Sequence, residues 1–336
     1  LTMRKKNVRL IDIAERLNLT KVSISKALRD HPDISLETRK KVQKVAKEMG
    51  YRPNLVARSL TSKQSHTIGV IIPKIAHYFF APVVEGIYHA AGESNYEIVL
   101  GISLEDEKLE KKHLESLLDL RVDGLLVSIT EQTKEPERFE IVREMGIELV
   151  FFDRGFSDAG YSYIRVEDRK SAKEGVKYLI DQGFENIAHL SGYPSLEIAR
   201  ERRLGYQDAL KEASLNMPGK AIVEGGFSEK DGYDGFASLI EQYGKPEAVF
   251  AVTYPVGLGA LRYMNDNGID SKDVTILTFG TSEFNKYLAH PFICIDQPTY
   301  ELGRRAFEQI VTEINQKTKR LPEIIQLPAR VENRNK

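Results

Sequence analysis

At 336 residues the chain is long enough for two or three domains around sizeable cores. A net charge of -1 conceals a division: residues 1–66 hold 16 Lys+Arg against 6 Asp+Glu, a net of +10, and the rest holds 32 against 43, a net of -11. A basic head on an acidic body points to a polyanionic partner for the head. The single cysteine, Cys294, excludes an internal disulfide and fits a reducing cytosol, and neither a membrane-length apolar run nor a signal-peptide core is present, so a cytoplasmic protein without a membrane partner is expected.

Leu1-Thr2 ahead of Met3-Arg4-Lys5-Lys6 reads as an expression remnant before a natural start at Met3. Leu10, Ile13, Ala14 and Leu17 recur at helical spacing and predict a first short amphipathic helix. Asn18-Leu19-Thr20 interrupts the pattern, and Thr20 is a good N-cap for a second helix. There Ile24, Ala27 and Leu28 point inward and leave Lys21, Val22, Ser25 and Lys26 on the open face. Two short helices joined by a tight turn, the second with a basic exposed face, form the helix-turn-helix pattern of DNA binding. Ser35, followed by Glu37, starts a third helix whose Val42, Val45, Ala46 and Met49 cover the other two, and Gly50 ends it. Asn54 to Thr61 is too short to be a stable helix alone, and Ser62-Lys63-Gln64-Ser65 reads as a polar linker.

From Thr67 on, strand and helix patterns alternate. Thr67 to Ile72 is a buried-type strand, Phe80 to Glu93 helix, Tyr96 to Ile102 strand, Leu104 to Leu120 helix and Asp123 to Ser128 strand. A helix around Glu137 to Met145 leads into a strand over Glu148 to Asp153. The alternation resumes with helix over Arg169 to Gln182 and continues to a last helix, Tyr300 to Asn315, and a last strand ending at Leu327. Such alternation predicts an α/β body of doubly wound parallel sheets, too many units for one open sheet and therefore two lobes with a ligand cleft between them.

The run Gly50-Tyr51-Arg52-Pro53-Asn54-Leu55-Val56-Ala57-Arg58-Ser59-Leu60, following Leu10-Ile11-Asp12-Ile13-Ala14 and Val22-Ser23-Ile24-Ser25, resembles the lactose/galactose-repressor family of bacterial transcription regulators. Three separate motifs stand in that family's order and spacing. The resemblance covers roughly residues 8 to 328. It implies a helix-turn-helix head over 8–53, a hinge helix and linker over 54–66, and a two-lobed body over 67–328 like the periplasmic sugar-binding proteins. The first lobe would take about 67–165 plus 297–328 and the second about 166–296, with three chain crossings between them.

By the same resemblance a dimer sets two recognition helices in successive major grooves of a near-palindromic operator. Lys21 and Val22 would choose the half-site bases, with Ser25, Lys26 and Arg29 beside them. Lys26 stands where Arg is usual; it can donate to guanine but lacks the planar fork. Ser35, Thr38 and Arg39, at a helix N-terminus, would hold a backbone phosphate. In the hinge, Asn54, Ala57 and Arg58 would meet DNA, and Leu60 would wedge into the minor groove.

The implied cleft positions are His77, Tyr78, Phe79, Ser128, Asp153, Arg202, Phe227, Thr253, Tyr254, Gly280 and Gln297. Two departures stand out: Thr253-Tyr254 replaces a usual Asn-Asp, and Gly280-Thr281 a usual Asp-Asp. With those carboxylates gone, and Lys74, His77 and Arg202 in reach, a net positive cleft for an acidic or phosphorylated metabolite is expected beside the sugar or sugar derivative common in the family. A catabolite-control-type regulator tuned by a phosphoprotein partner is the alternative. A transport-type solute-binding protein would need an export signal and no basic head. An enzyme finds no support: the chain has no His-Glu-x-x-His, Gly-x-Ser-x-Gly or Gly-Lys-[Ser/Thr] phosphate loop, and its histidines lack metal-ligand spacing, so neither cofactor nor metal is called for. The tail after Leu327 opens with Pro328 and has one large aliphatic residue, Val331, so a homodimer rather than a coiled-coil tetramer is expected.

Overall fold

A computed structural model describes residues 8–28, 30–51, 64–76, 78–316 and 321–332. Arg29, His77 and the hinge positions Asn54, Ala57, Arg58 and Leu60 therefore lie outside the described residues. The chain divides into two compact units, Leu1–Ser65 and His66–Lys336.

In the first unit the described residues form α1 (Leu10–Leu17), α2 (Lys21–Leu28) and α3 (Leu36–Met49). Each boundary has a local cause. Arg9 N–H donates to Asp12 Oδ2 at 2.7 Å, closing the start of α1. Asn18 ends it in the left-handed region at φ 53°, and Leu19 N–H reaches back to the Ala14 carbonyl. Thr20 Oγ1 accepts from Ser23 N–H at 3.0 Å, Ser35 Oγ accepts from Thr38 N–H at 3.3 Å, and Gly50 ends α3 at φ 70°. Ile13, Ala14, Ile24, Ala27, Val42 and Ala46 meet in a small core.

In the second unit two sheets carry the architecture. The first contains β1 (Thr67–Ile72), β2 (Glu97–Ile102), β3 (Gly124–Val127), β4 (Glu148–Phe152), β5 (Ser162–Val166) and β11 (Ile324–Leu327), all parallel, in the order β11-β5-β4-β3-β1-β2. The second contains β6 (Ile187–Gly192), β7 (Ile222–Gly225), β8 (Ala248–Ala251), β9 (Thr275–Phe279), β10 (Ile293–Asp296) and β12 (Arg330–Glu332), in the order β12-β10-β9-β8-β6-β7. Flanking them are α4 (Phe80–Glu93), α5 (Glu107–Asp119), α6 (Glu140–Glu144), α7 (Asp168–Asp181), α8 (Glu197–Glu212), α9 (Glu229–Gln242), α10 (Tyr254–Asp266) and α11 (Thr299–Asn315).

The chain passes between sheets after Val166, after Asp296 and after Leu327. The second passage returns α11 to the first sheet, where it lies on α4 at backbone contact. A Cβ on Gly303 would stand 2.0 Å from the Val83 carbonyl oxygen, and one on Gly86 2.2 Å from that of Tyr300. Glycine is required at both positions because no side chain fits between the two helices.

Three expectations need correction. The helix expected from Leu104 starts at Glu107, because Leu104 and Glu105 take φ 52° and 61° and Asp106 caps the helix by accepting from Lys108 N–H at 2.7 Å. The stretch before α7, with no element expected, is β5, a parallel strand between β4 and β11. The body also runs beyond residue 328, since β12 pairs antiparallel with β10, Ile295 opposite Val331.

Candidate functional site

Two surfaces collect the residues singled out by the sequence. On the head, Lys21 and Val22 stand exposed at the start of α2, Val22 with 65% of its surface open and no place in the core. Ser25 and Lys26 are half-buried one turn on. Lys26 Nζ is 2.6 Å from Asp33 Oδ2, and that contact, with His31 nearby, holds the Asp33 carboxyl below its ordinary range. Ser35 and Thr38 are tied to each other through Oγ–Oγ1 contact at 2.9 Å, and Arg39 Nη1 donates to the Asp30 carbonyl at 3.1 Å. Arg39 Nε is buried and has no hydrogen-bond partner among the described residues.

The second surface is a cavity of about 440 Å³ within the body. Its walls come from the carboxyl ends of strands in both sheets: Tyr78 and Phe79 after β1, Asp153 and Arg154 after β4, Phe227 after β7, Thr253 and Tyr254 after β8, Gly280 and Thr281 after β9, Gln297 after β10, with Arg202 from α8. This is where open α/β sheets bind ligands, because the loops there are free to vary. Tyr78, from the first lobe, packs on Phe284 (ring centroids 4.2 Å) and edge-on to Tyr254 (5.9 Å), both from the second. Gly280 is needed at the wall, since a Cβ there would stand 2.7 Å from the Tyr254 Cβ.

Asp153 is the most constrained wall residue. It sits at φ 58° in a three-residue turn in which Arg154 N–H donates to the Phe152 carbonyl at 2.7 Å. β5 pins that turn: Asp153 N–H donates to the Ile164 carbonyl at 3.0 Å, and Tyr163 Oη donates to the Asp153 carbonyl at 2.7 Å. Such backbone strain persists only where the surroundings over-determine it. Burial pushes the Asp153 carboxyl up to about 6, with Arg154 opposing the rise. Ser128 is not on the wall. It is fully buried behind Asp153, to which its Oγ donates at 3.5 Å.

Arg202 is held from behind. Its Nε donates to Asp168 Oδ1 at 2.7 Å, its Nη1 to the Val252 carbonyl at 2.6 Å, and its guanidinium stacks 3.7 Å from the Phe279 ring centroid. Only Nη2 is without a hydrogen bond among the described residues. Thr253 Oγ1 is likewise committed, to the Phe227 carbonyl at 3.2 Å. Gln297 differs: its Nε2 is buried and has no hydrogen-bond partner among the described residues. A buried donor left unsatisfied costs about 1–3 kcal/mol, which a ligand oxygen would recover.

Among the described residues the net positive wall expected from the sequence does not form. Lys74 is not part of it, and Arg202 is neutralised by Asp168. Arg154, which sequence reasoning missed, donates from Nη1 to Glu105 at 2.9 Å while its guanidinium lies 4.7 Å over Phe227. Glu283 and Asp296 add acidic groups. Signals for Arg154 and Asp168 were absent because their partners stand 49 and 34 residues away. Among the described residues no helix is long and apolar enough to cross a membrane, and no His/Cys/Asp/Glu group could hold a metal ion.

Comparisons with known proteins match both the head and the body. The family model for bacterial regulatory proteins of the lacI family matches residues 9–54, and that for periplasmic binding proteins and the sugar binding domain of the LacI family matches 65–334. Catabolite control protein A of Priestia megaterium is 30% identical over 330 residues, 98% of each chain. The ribose operon repressor of Escherichia coli (strain K12) is 30% identical over 308 residues, 91% of this chain and 93% of that one. The Lac repressor dimer bound to operator and the anti-inducer ONPF shares the fold, with a TM-score of 0.84, 23% identity and 98% of each chain covered. Basic helical head, two-lobed body and family matches over nearly the whole length thus coincide, and the chain belongs to the LacI family of bacterial regulatory proteins as a DNA-binding transcription regulator.

Proposed function

We propose that the protein is a dimeric repressor whose operator affinity is set by a neutral, hydroxyl-bearing ring molecule of the sugar class bound in the body cavity. The observation that carries the ligand class is the wall itself. Aromatic faces surround it, its arginines are neutralised from behind, and among the described residues the donors left over include Gln297 Nε2 and Arg202 Nη2, beside the Asp153 carboxyl. Such a set suits hydroxyl and ring oxygens stacked on aromatic rings and offers little to a phosphate, which needs an uncompensated cation. The kinship with a ribose operon repressor supports the same class.

In the head, Lys21, Val22, Ser25 and Lys26 are proposed to read base edges, with Arg29, Ser35, Thr38 and Arg39 at phosphates. Asn54, Ala57, Arg58 and Leu60 would complete the grip from the hinge. The cavity residues of the proposal are His77, Tyr78, Phe79, Asp153, Arg202, Phe227, Thr253, Tyr254, Gly280 and Gln297, with Ser128 orienting Asp153.

A thermal-shift series with neutral pentoses, hexoses and disaccharides, each paired with its phosphate ester, tests the ligand class. A cavity ligand raises apparent stability by mass action, so neutral sugars should raise the melting temperature and their esters should not. A shift with the esters alone, or with none of the panel, overturns the ligand class. A catabolite-control-type regulator is the second reading, favoured by the 98% coverage shared with catabolite control protein A. Operator affinity that rises only on adding a phosphoprotein, and never with a sugar, would select it.

A further inference from the structure

Beside the cavity, a group of side chains ties the two lobes together without lining the ligand space. Glu197 is the first residue of α8 and belongs to the second lobe. Ser157, in the loop between β4 and β5, and Arg165, on β5, belong to the first. Ser157 Oγ donates to Glu197 Oε1 at 2.6 Å, and Arg165 Nη1 donates both to the same carboxylate oxygen and to Ser157 Oγ at 3.3 Å. The pair is mostly out of water, with the Arg165 and Glu197 side chains 16% and 14% exposed. The rest of the guanidinium is occupied too. With the Gln326 amide oriented so that its oxygen faces Arg165, that oxygen accepts from Nη2 at 2.9 Å and Nε at 3.1 Å. Gln326 lies on β11, beside β5, so two of the three strands that lead into the passages between lobes brace one arginine aimed at the opposite lobe.

We infer that Glu197 is a positioning residue for the cleft, a latch whose grip by Ser157 and Arg165 sets how far the two lobes stay closed. Glu197 opens the helix that also carries Ile198 and Arg202 of the cavity wall. Fixing its end therefore places one wall against the other. A partly desolvated ion pair that bridges two bodies is suited to this role, because opening separates the charges and leaves each poorly solvated until water enters. A ligand held by both lobes favours the closed state only by its differential affinity, so the latch shifts the starting population on which it acts. That consequence rests on the reading of the cavity as the effector site; the latch itself does not.

The chain has no tryptophan, so Tyr78→Trp creates a single reporter at the aromatic contact with Phe284 and Tyr254, on separate segments from the latch. In the full chain carrying that change and no ligand, Glu197→Arg should raise acrylamide quenching of the tryptophan about twofold as the lobes part. Adding Arg165→Glu should return quenching toward the parent, a rescue that a merely local disturbance of α8 would not show. If Glu197→Arg does not fold, Glu197→Gln carries the test with a smaller rise. Equal quenching in the parent and a folded Glu197 variant, or a rise that the charge swap leaves untouched, overturns the latch. The measurement involves no sugar, so a cavity that binds none leaves the result standing, and a failed latch leaves the ligand class standing.

Discussion

The head and the body solve recognition in opposite ways. The head's helix caps run between neighbours in sequence: Arg9 to Asp12, Thr20 to Ser23 and Ser35 to Thr38 are each three residues apart. Its ion pairs, such as Lys26 with Asp33 and Arg16 with Glu48, lie open to water. The body's cavity is assembled from segments between Tyr78 and Tyr300, and its cations are neutralised within the protein before any ligand arrives. A cation in the head should thus contribute to binding and little to stability, whereas a cation in the body should contribute heavily to stability.

The sharpest break of that contrast is Arg202→Ala. It would strand Asp168, 6% exposed, and remove the stack on Phe279. Removing one partner of a buried ion pair costs about 3–5 kcal/mol. Urea unfolding followed by circular dichroism should show the body losing that much, with the head's helices unaffected. A loss below 1 kcal/mol would mean that Arg202 is held for the ligand alone.

Asp153→Asn should move stability the other way. Because burial raises its folded value to about 6, the unfolded chain gives up this proton from about pH 4 while the folded chain keeps it to about pH 6. Stability therefore falls as pH rises through that window, and above it the ionised carboxylate costs at most about 3 kcal/mol, at about 1.4 kcal/mol per pH unit. The variant should be more stable than the parent by about 1–3 kcal/mol at pH 7.5 and equal to it at pH 3.5, while losing sugar affinity. Thermal melts at the two pH values check this; the same difference at both would remove ionisation as the cause.

How much of this was legible in the sequence follows from the same contrast. The head's helices could be read because their stop and start signals, Asn18, Thr20, Ser35 and Gly50, act on adjacent backbone. The alternating body also declared itself, since runs such as Thr67-Ile68-Gly69-Val70-Ile71-Ile72 are buried on both faces. β5 escaped because Ser162-Tyr163-Ile164-Arg165-Val166 is short and mixes a serine and an arginine into the run; both are explained only by partners on other elements, Glu323 N–H for Ser162 Oγ and the lobe contact for Arg165. The start at Leu104 misled because two left-handed non-glycine residues in succession leave no local mark. Most of the wall positions come from strand ends, and the family resemblance located these, but the charge of the wall did not follow from them. Lys74 and Arg202 look like free cations until Asp168 and the cavity boundary are known.

A smaller effect compares one device in both units. Thr20→Ala in the head and Ser228→Ala in the body each remove a helix N-cap, the latter also accepting from Asp231 N–H. Loss of a cap costs about 1 kcal/mol. In the head, with six buried core residues among those described, that should lower the melting temperature of the head's transition visibly; in the body the same loss is spread over a much larger core and should shift it less. Calorimetry resolves the two transitions, and equal shifts in both would indicate that the units unfold as one.

The smallest stability change should come from Lys26→Ala, together with the clearest change in binding. Lys26 and Asp33 are 34% and 57% exposed, and an ion pair so open to water contributes about 0–1 kcal/mol. Unfolding of the variant should therefore stay within about 0.5 kcal/mol of the parent. Its DNA binding divides two roles. A lysine on a phosphate would weaken all duplexes alike and lower the salt slope by about 1, whereas one reading guanine would also relax preference at a single base position by about 1–3 kcal/mol. Fluorescence anisotropy over a salt series, on sequences chosen by genomic selection, separates these outcomes. The position on α2, one turn after Val22, favours the second. On that reading Asp33 would temper binding in the free protein, since Lys26 would have to exchange that carboxylate for a base edge, and only a site offering acceptors in the right place would make the exchange favourable.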